Sequence, residues 1–472
     1  MTAEISQPDA QAVDGQPGDT ADEQAEAAPS AIRSVIKSAG VRVLILPISA
    51  GLGIVNTRLI IEHFGTAVYA QYGLLVAIGA LLPFADLGMS AAIMNAVGAS
   101  EDPARDDHVV QTLVTSIRIL ICSAAVLFLI DVLITVTGVW PSILGDGLLP
   151  DSGPQAAALC LGFIALALPV GFGQRVLTGI GKNHLSVAVF GLTTPVVLVI
   201  LLIIINFDIG RGSYLPVIPY VVVLFLSLGA TVIAAKLITP SIGKAVRKVP
   251  RLRTFRGAKV FDVAWPMLIV FIAVPMAMQT DRIVLSHVSN ITNMAEYNLA
   301  SQMYLPVWQV VSAAGVALWP LFARSRAAGN RRENSPVPIA AGFGAAGAGV
   351  CVLISIASPW LARFASGGEV TIGWPLILAF SVLMTCQAAK YPFGVFLTDA
   401  SGLRFQAFMI VLMMIANLGL SIVLAEHLCA VGPVIASAIS VIIFELIANY
   451  LYVRSILRRI DKTEALTEMS TS

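Results

Sequence analysis

The chain has 472 residues, 57% of them hydrophobic and 12% charged, with a mean hydropathy of +0.85. A soluble domain carries roughly 25% charged residues, so this composition lacks the polar surface that a water-exposed globule needs. Net charge is +1, from 29 Lys and Arg against 28 Asp and Glu. No nucleic-acid partner is expected.

Residues 1–32 open the chain with Glu4, Asp9, Asp14, Asp19, Asp22, Glu23 and Glu26 and no Lys or Arg until Arg33. The segment buries too little apolar surface to offset its ordering entropy, so it reads as a disordered acidic tail. It also lacks the basic start and apolar core of a signal peptide.

From residue 33 onward the chain is a succession of apolar runs of roughly 20 residues, the length at which a helix crosses about 30 Å of hydrocarbon. Six runs cover 41–61, 72–97, 109–135, 156–177, 185–205 and 216–237, and six more cover 263–288, 297–322, 337–357, 372–398, 405–425 and 430–453. Charge alternates between the loops. One set carries Arg33, Lys37, Arg105, Lys182, the basic stretch Lys244–Lys259, Arg324, Arg326, Arg331, Arg332, Arg404, Arg454, Arg458, Arg459 and Lys462; the other has only Arg211 and Arg363. The positive-inside rule places the first set and both termini in the cytosol. The expected fold is an all-α membrane protein of about twelve transmembrane helices. Its divisions are a six-helix lobe over 33–243, a basic cytosolic linker over 244–260, a second six-helix lobe over 261–454 and a cytosolic tail over 455–472.

The halves echo one another. Residues 56–63, Asn-Thr-Arg-Leu-Ile-Ile-Glu-His, resemble residues 280–287, Thr-Asp-Arg-Ile-Val-Leu-Ser-His, at the outer ends of the first and seventh runs. Two copies with an even number of spans share one orientation and are related by a pseudo-two-fold axis along the membrane normal. That arrangement leaves a cleft between lobes.

Charges inside hydrocarbon are costly and mark functional positions. Arg58 and Arg175 lie within a turn or so of an interface, where snorkelling accounts for them, and Asp131 lies near the outer end of its helix. Asp86, Arg118, Lys390 and Glu445 lie deeper. Two readings stay open for these four: two structural ion pairs, or cavity cations (Arg118, Lys390) with proton-binding carboxylates (Asp86, Glu445). Asp281 and Arg282 are adjacent, hence about 100° apart around a helix, so at least one should face the cleft. Prolines within the spans, such as Pro83, Pro169, Pro306 and Pro392, favour a carrier with bent helices. Five cysteines without metal-ligand spacing read as small apolar residues, and no cofactor, metal or disulfide framework is expected. The chain has no phosphate-binding GxxxxGK[ST] loop and no long loop for a catalytic domain, which excludes ATP-driven transport within it and argues against an enzyme.

The stretch Asn56–Gly65, then Tyr69-Ala-Gln-Tyr-Gly73, then Phe84-Ala-Asp-Leu-Gly-Met-Ser90, resembles the opening of the polysaccharide-repeat, Wzx-type flippases of the multidrug/oligosaccharidyl-lipid/polysaccharide exporter superfamily. In the second half Trp265-Pro-Met267, Asp281–Leu285 and Ala295–Ala300 are similar to that family's seventh and eighth helices. The resemblance implies transfer of a lipid-linked oligosaccharide, of polyprenyl-pyrophosphate type, across the cytoplasmic membrane for cell-surface polysaccharide synthesis. It further implies coupling to an ion gradient, and membrane lipids, a polymerase and glycosyltransferases as partners. On that reading Arg118, Lys390 and Arg282, with Arg58 and Arg175 behind them, are candidate cavity cations, and Asp86, Asp281 and Glu445 are candidate ion-coupling sites. A multidrug extruder of the same superfamily and a non-transporting scaffold are the alternatives.

Overall fold

The computed structural model describes residues 45, 48–81, 83–210, 212–251, 279–316, 318, 321–322, 325 and 335–471. The acidic tail, residues 252–260 of the linker and the first part of the seventh span lie outside these residues. Among those described the chain is all α-helical.

Each of the twelve expected spans coincides with helix, the first over 48–64 and the seventh over 279–288. Among the described residues eight helices are long and apolar enough to cross a membrane, including Asp107–Thr137, Pro336–Ser366 and Trp374–Phe396. The second, fourth, fifth and twelfth spans are interrupted. The second runs Thr66–Leu81, makes a 3-10 turn at Pro83–Asp86 and resumes at Met89–Gly98. Pro83 withdraws a backbone donor there, and Leu87 and Gly88 turn the chain through positive φ (50° and 78°). The fourth breaks at Pro169 between Gly153–Ala167 and Phe172–Gly179. The Thr231 hydroxyl donates to the Val170 carbonyl at 2.6 Å, satisfying an acceptor at the break. Gly173 lets the sixth-span backbone come this close, since a Cβ there would lie 2.3 Å from Thr231 Cα. The fifth divides into Asn183–Gly191 and Thr193–Asn206, and the twelfth contains a π-helical segment, Val441–Ile447.

Helix ends follow local chemistry. The third span starts where Asp106 accepts from the His108 N–H at 2.7 Å. Hydrogen bonds from Ser100 and His108 hold that carboxyl below the usual carboxylate range. The span ends at Gly138 in the left-handed region (φ 68°).

Spans two to six pack on one another, and spans eight to twelve form a second group. The two groups meet chiefly where the second span crosses the eighth, Ile291–Val316. One end of the molecule bears Arg105, Lys182, Lys244, Arg247, Lys248, Arg404 and Arg454 and is termed the basic end. At the opposite end Thr57 donates to Gln302 Oε1 at 2.6 Å and the Tyr69 hydroxyl to the same oxygen at 3.3 Å. His287 Nε2 lies 3.1 Å from the Ser142 carbonyl. The echo between halves has a structural counterpart, because His63 and His287 each place Nδ1 on the carbonyl four residues back, at 3.1 and 2.8 Å.

Gly73 is the tightest point of this seam, where an added Cβ would stand 2.1 Å from the Asn298 amide. Gly73→Val is expected to wedge the second and eighth spans apart. In purified protein otherwise free of cysteine, a cysteine at Thr57 should then react with maleimide several-fold faster than it does with Gly73 intact. Equal rates would show that the seam does not depend on this contact.

Candidate functional site

A cavity of about 960 Å³ lies between the two groups of helices. Its lining runs from Thr57 and Gln302 at the seam to Ile45 and Asn183 near the basic end. Polar and aromatic groups are interleaved on its walls, including Tyr69, Tyr72, Asn298, Gln309 and Trp308. Four charged residues are among its lining: Asp281, Arg282, Lys390 and Glu445.

Asp281 and Arg282 diverge as their adjacency requires. Arg282 Nε donates to Asn298 Oδ1 at 2.8 Å, Nη1 to Gln279 Oε1 at 2.9 Å and Nη2 to Ser301 Oγ at 3.1 Å. Its guanidinium carbon also lies 5.6 Å from the centre of the Tyr297 ring. These partners are all neutral, so they orient the guanidinium without cancelling its charge.

Asp281 is 2% exposed and turns into the second group of helices. Tyr297 Oη donates to Oδ2 at 3.2 Å, Ser437 Oγ lies 3.1 Å from Oδ2 and Ser421 Oγ 3.2 Å from Oδ1. Both serine hydroxyls also approach Asn417 Oδ1, at 3.5 and 3.2 Å. Three hydroxyls thus surround the carboxylate, and Asn417 lies against two of them. With one carboxylate and otherwise neutral oxygens, the donor set suits a singly charged hard ion better than a divalent one. Among the described residues no three His, Cys, Asp or Glu cluster as metal ligands.

Lys390 and Glu445 form an ion pair with each other, their side chains 14% and 10% exposed. Lys390 Nζ also sits 5.8 Å from the Trp308 ring centre. The π-helical turn of the twelfth span carries Glu445.

The remaining expected site residues, Arg58, Arg118, Arg175 and Asp86, lie off the central cavity lining. Arg118 is not on the central cavity wall; Nε and Nη2 donate to the Val249 and Lys248 carbonyls at 2.9 and 3.1 Å. It thereby caps the carboxyl end of the linker helix Ser241–Lys248, where a cation complements the helix dipole. Arg58 is also off the wall. Its side chain is 40% exposed, pairs with Glu62 at 3.3 Å one turn on, and packs 4.9 Å from the Phe364 ring centre. Asp86 accepts from the Gly88 N–H at 2.8 Å and from the Ser90 hydroxyl, capping the inner half of the second span. Arg175 shares a second, smaller cavity with Asp86. Asp131 is 5% exposed rather than solvated, and a Cβ on Gly162 would lie 3.5 Å from its Oδ2.

Tyr297, Asn417, Ser421 and Ser437 were not singled out from the sequence. The spacing of Asn417 and Ser421 was the available signal, since polar residues four apart share one face of an apolar helix.

The fold matches solved structures of one superfamily. An inward-facing multidrug resistance MATE family transporter of the MOP superfamily aligns with a TM-score of 0.63 at 16% identity, over 90% of this chain and 99% of that one. The lipid II flippase MurJ in an inward closed conformation aligns at 0.61 and 11% identity, over 88% and 87%. An outward-facing MATE transporter aligns at 0.56 and 14%, over 91% and 96%. No curated protein registers as a relative in sequence. The family model described as polysaccharide biosynthesis protein matches residues 35–326, more than half of the 472-residue sequence. The chain belongs to the polysaccharide biosynthesis protein family, and its fold is similar to that of the MATE and MurJ structures.

Proposed function

We propose that the protein is a flippase carrying a lipid-linked oligosaccharide of polyprenyl-pyrophosphate type across the cell membrane by alternating access. The observation that carries this reading is the large cavity between two helix groups, lined by amide, hydroxyl and aromatic side chains and closed toward one end by a seam that includes Thr57, Tyr69 and Gln302. A saccharide needs amide and hydroxyl partners with aromatic faces to pack on, and this wall supplies both. An anionic headgroup needs a cation that is not already neutralised, because unpaired phosphate charge is prohibitive in hydrocarbon. Arg282 in this cavity and Arg175 in the smaller cavity adjoining it are candidates for that role; Lys390, held by Glu445, is not.

On this reading the basic end and both termini are cytosolic, the two six-helix lobes are 33–243 and 261–454, and 244–260 links them. Cargo enters from the cytosolic side while the seam closes the outer end. Asp281 is the coupling site, taking a proton or a monovalent cation among Tyr297, Asn417, Ser421 and Ser437. It adjoins Arg282 in sequence, so its occupancy changes the potential at the cargo cation. Export of glycans also suggests glycosyltransferases and a polymerase as working partners.

The direct test labels lipid-linked oligosaccharide by leaflet in cells depleted of the protein. Accumulation in the inner leaflet is the expected result, and an unchanged inner-to-outer ratio removes the flippase reading. In the same assay Thr57→Cys/Gln302→Cys should support transfer when reduced and stop it when oxidised. Transfer that continues after the cross-link has formed would show that the seam need not open.

Asp281→Asn should abolish ion-driven transfer while the protein still inserts and binds cargo, since it keeps the side-chain shape and removes the charge. Transport that keeps its dependence on the ion gradient would relocate the coupling site.

The Lys390–Glu445 pair is expected to behave as a unit. Removing one partner of a buried pair costs about 3–5 kcal/mol by stranding the other charge. Lys390→Met should therefore lower the thermal midpoint of the purified protein, and Lys390→Glu/Glu445→Lys should recover most of the loss. A swap as unstable as the single variant would refute the pairing.

A further inference from the structure

The second cavity, of about 450 Å³, lies within the first group of helices. It falls in the size range of sites for small organic ligands, about 300–1,000 Å³. Phe163, Leu168, Phe172, Phe190, Ile93 and Leu120 give it a predominantly apolar wall. Val76, Gln174, Phe190 and Pro219 line this cavity and the central one alike, so the two adjoin. Gln174 stands at the junction, one residue before Arg175.

The only cation on this wall is Arg175, which makes no hydrogen bond or ion pair among the described residues. Its carboxylate neighbour is otherwise engaged. Asp86 directs Oδ1 to the Gly88 N–H and Oδ2 to the Ser90 hydroxyl, at the positive end of the helix Met89–Gly98. The Tyr220 hydroxyl is spent on the Leu75 carbonyl at 2.8 Å. A planar fork of donors thus faces an apolar chamber with no protein acceptor filling it. Arginine matches phosphate oxygens in two-point geometry, and the exchange of water for phosphate is strongest where the surroundings are dry.

We infer that this annex binds the phosphorylated end of a hydrocarbon chain, with the phosphate on Arg175 and the first carbons of the chain against Phe163, Leu168, Phe172 and Phe190. The inference rests on the flippase reading and deepens it. The lipid end of the cargo occupies the annex, while the saccharide passes Gln174 into the central cavity toward Arg282. Separate chambers for the two ends explain how one carrier accommodates a headgroup that needs water and a chain that avoids it.

The test uses full-length purified protein and measures binding of farnesyl phosphate, farnesol, inorganic phosphate and phosphatidylglycerol. Farnesyl phosphate should bind more tightly than the other three, because only it offers both a terminal phosphate and a slender chain. Arg175→Gln should weaken it at least about tenfold, and Arg175→Lys should restore part of the loss. Val223→Phe, which fills the annex without touching a charge, should weaken it as well. Arg282→Gln, which alters the central cavity, should weaken it less than Arg175→Gln. The reverse order would overturn the annex and place the lipid phosphate in the central cavity, leaving the flippase reading intact. Equal binding of inorganic phosphate, or tighter binding of phosphatidylglycerol, would also overturn it. A normal leaflet ratio in depleted cells would instead remove the reading on which the inference stands.

Discussion

Inside a bilayer no water is available to accept or donate, so every polar group must find its partner within the protein. This constraint organises the whole molecule. Where Pro169 breaks the fourth span, Thr231 donates to the Val170 carbonyl. At the bend between the Pro83–Asp86 turn and the helix Met89–Gly98, the carboxylate of Asp86 takes the Gly88 N–H and the Ser90 hydroxyl. The Tyr220 hydroxyl reaches across from the sixth span to carbonyls of the second. Backbone groups at the Pro169 break and at the Gly88 turn are thus met by polar side chains, one from the sixth span and one from the second span itself.

The same accounting separates structural charges from those available to a ligand. Arg118 spends donors on two linker carbonyls, Arg58 is balanced by Glu62, and Lys390 by Glu445. Among the described residues on the two cavity walls, Arg282 and Arg175 are guanidinium groups with no carboxylate in direct contact. Arg282 is steered by three neutral partners at the central cavity, and Arg175 faces the annex. Asp281 is the opposite case, a buried carboxylate on the cavity lining that meets three neutral hydroxyls. The groups with unmet capacity border the two cavities, as expected if the ligand supplies what the protein withholds.

Much of the fold could be read in the sequence because its causes are one-dimensional. Apolar length sets the spans, and loop charge divides the two ends. Residues 56–63 and 280–287 share a pattern in the sequence, and the histidine that ends each contacts the carbonyl four residues back, at 3.1 and 2.8 Å, as His427 also does. What a charge does is another matter, because it depends on the partner across the helix boundary. Arg118 and Lys390 look alike as basic residues deep in apolar runs, yet one meets backbone carbonyls 130 and 131 positions away and the other a glutamate 55 positions away. Spacing along one chain holds no record of such meetings. The Asp281 cluster was concealed for the same reason, since serine and asparagine in an apolar helix are unremarkable until three helices bring them to one carboxylate.

On the proposed reading, the division between chambers bears on how a carrier could move a cargo that is part hydrocarbon and part saccharide. A single cavity polar enough for a saccharide would strip a hydrocarbon chain of favourable contacts, and one apolar enough for the chain would strand the sugar hydroxyls. Here the central wall is amide-rich and the annex wall is mostly aliphatic and aromatic, with Gln174 at the border of both. A cargo spanning that border would touch both lobes through its headgroup and only the first through its lipid end. When the lobes rock about the seam, the lipid end would stay with one rigid group while the headgroup exchanges neighbours. The energetic burden of alternating access would then fall on hydrated groups, which a water-filled cavity can accommodate throughout.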